Sequence, residues 1–204
     1  MSSEGRYLSA QREITPEPER DPFGRSLVGG WILTYGGRRV WPLEMVPEDV
    51  DLEDIAHALS MKCRYNGHCR KFYSVAQHSR VVSYHVPDHL AAHALLHDAG
   101  EYVLPDIARP IKSAIAGFER VESRALEAIG RRFGLDPELF DDPAVKLADN
   151  RILGDEMQQL MIWQKDIDFD PIKRFGSLGV TIVPDSPEQA KRAFLKRAEE
   201  LELK

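Results

Sequence analysis

The sequence predicts an all-α fold with a small β-hairpin appendage near the N-terminus. Apolar residues recur at helical spacing through most of the chain after residue 50, and capping or proline signals open several of these runs. The clearest strand signal is short and surrounds a pair of glycines. No internal repeat is present. We expect a flexible arm at residues 1–28 and, from the length of the chain, a single domain at residues 29–204.

The first elements are predicted from turn residues and helix caps. Trp31–Trp41 contains two short apolar segments around Gly36-Gly37, which predicts a β-hairpin with a glycine turn. A helix is predicted over Asp51–Cys63, because its first turn carries the acidic residues that the helix dipole favours. A second helix is predicted over Ser74–His85. A third is predicted over Pro87–Leu96, since proline is favoured in the first turn of a helix.

The second half of the chain is also predicted to be mainly helical. A proline-containing loop is expected at residues 105–110. Phe118–Phe133 is strongly amphipathic and is predicted to be a helix. Ala144–Trp163 is predicted to be another long helix, and Gly179–Val183 a short strand. A Ser-Pro pair then opens a charged C-terminal helix, predicted over residues 186–203.

The composition limits the classes of function. With 204 residues, 43% hydrophobic and 29% charged, the chain is typical of a globular protein that builds one core. The formal net charge of −6 argues against a general electrostatic attraction to nucleic acid. No apolar run reaches membrane-spanning length, and the polar, proline-containing start of the chain is unlike a signal peptide. We therefore expect a cytoplasmic protein without a nucleic-acid or membrane partner.

The two cysteines, Cys63 and Cys69, are expected to be reduced thiols, as is usual in a chain without an export signal. They flank His68, so a small zinc knuckle is an alternative. C-x-x-C spacing and a nearby fourth ligand are missing, which favours plain packing residues.

Four residues combine the chemistry of a metal site: His78, the adjacent pair His97-Asp98, and Asp149. Each lies in a stretch that otherwise forms an apolar helical face, where an unpaired carboxylate or imidazole is costly. Imidazole and carboxylate together suit a divalent ion that acts as a Lewis acid, and one shared ion would satisfy all four groups. The set predicts a metal-dependent hydrolase.

Structural roles are the alternative for each of these residues taken alone. A single histidine on an apolar face is usually a hydrogen-bonded core residue, and a single inward aspartate is often a cap or an ion-pair member. On one continuous helix the side chains of His97 and Asp98 would diverge by about 100°, so other helices must help them to meet at one ion. A helical interaction protein with structural histidines stays open, although four such residues on three predicted helices favour the metal.

The segments around these residues resemble the HD-domain phosphohydrolase superfamily. They read VAQHS around His78, LLHDAGE around His97-Asp98 and KLADN around Asp149, and the resemblance covers approximately residues 50–165. It implies an HD-domain helical core in which these four residues hold one divalent metal ion. Two imidazoles with two carboxylates accept Zn, Co, Mn, Ni or Fe.

The context of the HD dipeptide is similar to one compact branch of that superfamily. Arg64, Gly67-His68 and the segment Pro105–Lys112 carry this likeness. The branch contains bacterial deoxynucleoside 5′-monophosphate nucleotidases and bacteriophage dATP triphosphohydrolases, so the resemblance implies a small-molecule deoxynucleotide substrate and a homo-oligomer. It also implies that Glu101 and Asp106 bind and orient the attacking water. Their structural alternatives are a solvated helix residue and a turn residue.

Phosphate hydrolysis also needs cations near the non-bridging oxygens. Arg64 and Lys112 are the predicted phosphate ligands, and Tyr65 is a candidate to stack on a base or close the pocket. Arg70-Lys71 and Arg109 supply more cations than a monophosphate requires, which favours a dATP-type triphosphohydrolase that releases deoxynucleoside and triphosphate. A monophosphate nucleotidase is the alternative within the class, and a non-catalytic nucleotide-binding module is the alternative outside it.

Overall fold

The structure is a computed structural model that describes residues 21–163 and 168–204. It confirms the all-α fold with a two-stranded antiparallel hairpin near the N-terminus. None of the helices in these two ranges is long and apolar enough to cross a membrane. The strands and helices are β1 (Ile32–Leu33), β2 (Arg39–Val40), α1 (Leu52–Met61), α2 (Val75–Ser83), α3 (Ala91–Leu96), α4 (Arg109–Lys112), α5 (Phe118–Arg132), α6 (Pro143–Leu160), α7 (Pro171–Phe175) and α8 (Pro187–Glu200).

The hairpin is short and is tied to the helical domain. Ile32 pairs with Val40, and Gly37 adopts a φ of 78° in the turn, a conformation that glycine adopts without steric cost. Val40 is fully buried in the main core. The backbone N–H of Gly36 donates to Asp54 Oδ1 on α1 at 2.5 Å. The appendage therefore packs on the domain as an integral part of it.

The main core lies between α1 and the C-terminal helix α8. Ile55 and Leu59 of α1 are fully buried in the same cluster as Phe194 of α8. The C-terminal helix thus completes the core, although it lies outside the residues that carry the family resemblance. The predicted flexible arm divides at residue 20: residues 1–20 lie outside the described ranges, whereas Arg25 is buried and forms ion pairs with Asp21 and Asp49.

A second, smaller cluster holds together the three helices that present the candidate ligands. Side chains of α2, α3 and α6 interdigitate there, and the cluster positions one face of each helix toward a common point. Its fully or nearly fully buried members are Val82, Leu90, Ala94, Val145, Ala148 and Ile152.

The predicted strand at Gly179–Val183 is wrong, because side-chain amides take its backbone hydrogen bonds. Gln159 on α6 donates to the carbonyl of Val180 at 2.9 Å and accepts from the N–H of Ile182 at 2.9 Å. Gln77 on α2 donates to the carbonyl of Val183 at 2.8 Å. With these partners the segment stays extended and irregular.

Several helix boundaries also differ from the sequence-based prediction; α3, for example, begins at Ala91 and not at Pro87. Part of the predicted loop at residues 105–110 belongs to the short helix α4, which has Pro110 in its first turn. Helix α6 ends at Leu160, three residues before the predicted Trp163. The difference at residues 105–110 moves Arg109 from the predicted loop into α4, whereas the earlier end of α6 leaves Asp149 on that helix.

At Gly154, the backbone of α6 lies very close to the backbone that follows α7. A β-carbon at this position would lie 2.0 Å from the carbonyl oxygen of Gly176, just after α7. We expect Gly154→Ala to lower the free energy of unfolding by about 3 kcal/mol, because a backbone atom cannot move aside cheaply. Urea unfolding should show this, with Gly100→Ala as the control, since its β-carbon would meet Ala125 at an ordinary 3.5 Å. An unchanged midpoint for Gly154→Ala would contradict the close α6–α7 contact.

Candidate metal centre

The four predicted ligands converge, although they come from distant parts of the chain. The Nε2 atom of His78 on α2 lies 3.4 Å from Nε2 of His97, 3.7 Å from Oδ2 of Asp98 and 3.2 Å from Oδ1 of Asp149. His97 Nε2 is 3.3 Å from Asp98 Oδ2 and 3.9 Å from Asp149 Oδ1. His78 is fully buried, while the other three side chains remain partly accessible.

The adjacent residues His97 and Asp98 meet because the helix ends between them. Helix α3 stops at Leu96, and Asp98 has φ −99° and ψ 11°, outside the helical range. The chain then enters a 3₁₀ turn at Ala99–Tyr102. The two side chains meet there, with His97 Nε2 3.3 Å from Asp98 Oδ2, so one turn of chain offers both an imidazole and a carboxylate to the same point.

The side chains of His78, His97 and Asp98 could hold a single metal ion. Ligand atoms of His78, His97 and Asp98 all lie within 4.8 Å of one another, and Asp149 Oδ1 approaches the two imidazole nitrogens from α6. Two ligands about 2.1 Å from one tetrahedral ion would be about 3.4 Å apart, which matches these separations. In the described ranges no other group of three or more His, Cys, Asp or Glu side chains is this close, and Cys63 and Cys69 are free thiols.

The electrostatics show a cluster that needs positive charge. Burial opposes ionisation of Asp98, but His97, followed by His78 and Arg64, holds its pKa well below the usual value. Asp149 behaves in the same way, with His78 overcoming the effect of burial on its pKa. Burial disfavours a charged His97, but Asp98 outweighs it and raises the pKa of His97 to about 9. The carboxylates and imidazoles of this cluster therefore stabilise one another's charged forms.

Glu156 is a central residue that the sequence reasoning missed. Its side chain is fully buried, and Oε1 lies 2.7 Å from Nδ1 of His78. Oε2 accepts hydrogen bonds from Nε of Arg64 at 3.1 Å and from the hydroxyl of Tyr65 at 2.7 Å. Burial opposes its ionisation, but Arg64 and His78 outweigh that effect and lower the pKa of Glu156 to about 2. Its position two helical turns after Asp149 was the available signal, since residues seven apart share a helix face.

A cavity of 660 Å³ opens beside the ligands. Its wall contains three of the four ligands, several more carboxylates and cations, and a small apolar surface. The residues around it are His97, Asp98, Gly100, Glu101, Arg109, Lys112, Glu119, Glu122, Ser123, Leu126, Phe140, Asp141, Val145, Lys146, Asp149 and Asn150.

Glu101 is a cavity residue whose carboxyl group has a raised pKa. Its Oε2 atom is buried and has no hydrogen-bond partner within residues 21–163 and 168–204. Burial, followed by the negative charges of Asp98 and Asp106, raises the pKa of Glu101 to about 9. Lys62, at the end of α1, holds the turn that carries it by donating to the carbonyl oxygens of Glu101 and Leu104. Sequence reasoning did not single out Lys62.

The other predicted site residues divide into two groups. Lys112 lines the cavity, where its ammonium pairs with Glu122 at 2.6 Å.

Arg64, Tyr65 and Asp106 do not line the cavity. The Arg64 guanidinium and the Tyr65 hydroxyl instead contact Glu156, and Arg64 Nη1 lies 3.5 Å from Asp98 Oδ2. Asp106 is half-buried and acts on Lys62 and Glu101 through its charge.

Comparison with known proteins places the chain in a family. No protein-family model matches it. The uncharacterized protein YfdR of Escherichia coli K12 is 32% identical over 173 residues, which cover 84% of this chain and 95% of that protein. The chain belongs to the YfdR family. An uncharacterized protein of Rhodobacter capsulatus is 39% identical to this YfdR-family chain over 132 residues, 58% of the chain and 67% of that relative. Neither printed name states an activity, so the chemistry has to come from the site.

The charge balance of the cavity is a further property of this YfdR-family protein. Each cation on its wall already has a carboxylate partner: Arg109 lies 2.9 Å from Asp149, and Lys146 lies 2.8 Å from Asp141, while Lys112 is held by Glu122. Arg70, which the sequence offered as an additional phosphate ligand, donates instead to the carbonyl of Gln159, away from the cavity. The described wall of the cavity thus carries more carboxylates than cations.

Proposed function

We propose that this YfdR-family protein is an HD-type, metal-dependent phosphohydrolase that acts on deoxynucleotides. The observation that carries the proposal is the convergence of His78, His97, Asp98 and Asp149 beside a 660 Å³ cavity. A structural role for the histidines would not need two imidazoles and two carboxylates with their ligand atoms facing one another. Cytoplasmic location and homo-oligomeric assembly stay predictions from the sequence.

The proposed mechanism assigns roles to residues of the cavity wall. A divalent ion held by the four ligands would supply Lewis-acid activation of water and of the phosphoryl group. Glu101 orients the attacking water and accepts its proton, and Asp106 supports Glu101 through its charge. Lys112 and Arg109 exchange their carboxylate partners for the non-bridging phosphate oxygens when substrate binds. Arg64 does not line the cavity and acts through its ion pairs with Asp98 and Glu156.

The charge of the cavity favours a monophosphate over a triphosphate. The described wall contains three cations, Arg109, Lys112 and Lys146, but six carboxylates, and each of the three cations already pairs with one of them. A triphosphate brings about four negative charges and needs several free cations to offset them. We therefore place the deoxynucleoside 5′-monophosphate nucleotidase first. The dATP-type triphosphohydrolase, which the sequence favoured through Arg70-Lys71 and Arg109, becomes the second candidate.

Product analysis by chromatography tests this assignment. Protein loaded separately with Zn²⁺, Mn²⁺, Co²⁺, Ni²⁺ or Fe²⁺ is incubated with each deoxynucleoside mono- and triphosphate, alongside chelator-treated protein. We expect phosphate and deoxynucleoside from monophosphates in the metal-loaded samples only. Deoxyadenosine plus triphosphate from dATP would establish the second candidate instead. Metal binding without turnover would indicate a nucleotide-binding module, and no metal binding would indicate a helical interaction protein.

A further inference from the structure

The ring of His78 is fixed from both sides in the interior of the protein. His78 and Glu156 are both fully buried, and the 2.7 Å contact joins Nδ1 of the ring to Oε1 of the carboxylate. The opposite ring atom, Nε2, faces Asp149, His97 and Asp98. A carboxylate can only accept, so Nδ1 carries the hydrogen in this contact, and the Nε2 lone pair of the neutral ring is left for a metal ion.

Glu156 is itself held by two donors on the other carboxylate oxygen. Arg64 Nε and the Tyr65 hydroxyl both donate to Oε2, at 3.1 and 2.7 Å. Tyr65 has a φ of 56°, in the left-handed region that an aromatic residue rarely adopts. Such a backbone persists only when surrounding contacts stabilise it, and it occurs often at functional sites. The turn before α2 is thus built to deliver two donors to one buried oxygen.

The same network reaches a second ligand. Arg64 is 14% exposed and extends from Glu156 to Asp98, with Nη1 3.5 Å from Asp98 Oδ2. Glu156 on α6 therefore connects His78 on α2 with the aspartate that follows α3. A change at Glu156 would affect the direction of both ligands without removing either of them.

We propose that Glu156 is a positioning residue of the metal centre, which holds His78 in the Nδ1–H tautomer with Nε2 directed at the ion. This inference rests on the proposed function, since it requires that His78 ligates a metal. Among the described residues, Glu156 contacts His78, Arg64 and Tyr65 and also adds to the effect of burial in raising the pKa of the Tyr73 hydroxyl, and it does not line the cavity. It acts on the reaction only through His78 and Arg64.

The test uses Glu156→Gln in the full chain, and Zn²⁺ affinity measured by competition with a chromophoric chelator. A glutamine keeps the shape, but its amide cannot accept from His78 and also accept from Arg64 and Tyr65, because one of its two heavy atoms is a donor. We expect Zn²⁺ affinity to fall by about 10- to 100-fold, as is typical for the outer partner of a metal-binding histidine. Tyr65→Phe removes one donor to the same oxygen and should lower the affinity in the same direction by less.

Asp155→Asn is the matched control, because Asp155 is a buried carboxylate on the same helix that serves a different segment. It accepts from Ser177 and Leu178 and has no contact with the ligands. It should lose stability but keep Zn²⁺ affinity, whereas Glu156→Gln should lose affinity even where circular dichroism shows a folded protein. The imidazole ¹⁵N spectrum gives a second readout: the His78 signal, identified by its loss in His78→Gln, should report the Nδ1–H tautomer only with Glu156 present.

Three outcomes are decisive. Weakened Zn²⁺ binding and a mixed His78 tautomer in folded Glu156→Gln would establish the positioning role. Wild-type affinity in that variant would overturn the role of Glu156 and leave the metal centre and the proposed function intact. Failure of the wild-type protein to bind any of Zn²⁺, Mn²⁺, Co²⁺, Ni²⁺ and Fe²⁺ would overturn the metal centre, and with it both proposals.

Discussion

Asp98→Ala is expected to abolish metal retention and turnover together. Asp98 Oδ2 lies within 3.3–3.7 Å of His97, His78 and Arg64, so it is the anion that these three groups share. Without it, the site keeps two imidazoles but a single ligand carboxylate, so a divalent cation loses one of its two anionic ligands and is bound much more weakly. We expect a loss of metal affinity greater than the roughly 100-fold that outer partners cost, and turnover no higher than in chelator-treated protein.

The measurement pairs metal content after gel filtration with phosphate release from deoxynucleoside monophosphates. Asp88→Ala is the control, because Asp88 is an exposed aspartate in the turn before α3 and does not line the cavity. It should retain metal and activity. If Asp98→Ala kept its metal and its turnover, the ligand assignment would be wrong. Loss of turnover with metal retained would move Asp98 from the ligand set to substrate binding.

Much of the fold could be predicted because local signals and tertiary structure agree. Asp51 caps α1 by accepting from the N–H groups of Glu53 and Asp54, and Ser186 caps α8 by accepting from Gln189. These capping residues are visible in the sequence, and their hydrogen bonds are made within four residues. The amphipathic run that begins at Phe118 likewise forms a helix with its predicted start.

The errors come from contacts that are distant in sequence. The segment Gly179–Val183 has a strand-like composition, but Gln77 and Gln159 satisfy its backbone from two helices. Helix periodicity cannot reveal such partners, because a glutamine on a helix surface has the same pattern whether it is solvated or bonded. The strand prediction failed because side-chain amides, and not a neighbouring strand, form the hydrogen bonds of this backbone.

The candidate site shows the same division. The sequence pointed to four residues whose polar atoms converge, because each interrupts an apolar helical face. The sequence signal for Glu156 was weak: it lies seven residues after Asp149, but this spacing does not set it apart from the neighbouring Asp155 until the buried face of the helix is known. The sequence analysis assigned Arg64 to phosphate binding because of its charge, but in the structure its guanidinium pairs with Glu156 and Asp98. The roles of these residues depend on where their side chains point, which the sequence alone does not give.

Glu101→Gln is expected to lower turnover by about 10²- to 10⁴-fold, the usual contribution of a proton acceptor, while metal affinity stays close to that of the wild type. Glu101 lines the cavity but is not within the group of closely spaced ligand atoms. Glutamine keeps its size and can still donate or accept a hydrogen bond, so only the ability to take a proton is removed. Steady-state kinetics and chelator competition on the same samples measure the two quantities.

The pKa of Glu101 makes this substitution a sharp test. Burial, Asp98 and Asp106 raise that pKa to about 9, so at neutral pH the carboxyl is protonated unless positive charge offsets its neighbours. If the neutral acid acts only as a hydrogen-bond donor, glutamine should replace it with little loss, and retained turnover would contradict the role of a base. If the ionised form is required, glutamine fails. Glu127→Gln, which replaces an exposed residue of α5, is the control and should keep wild-type turnover in both cases. Asp98 raises the pKa of Glu101 and Lys62 lowers it, so a metal ion that neutralised Asp98 would lower the pKa of Glu101 and favour its ionised form.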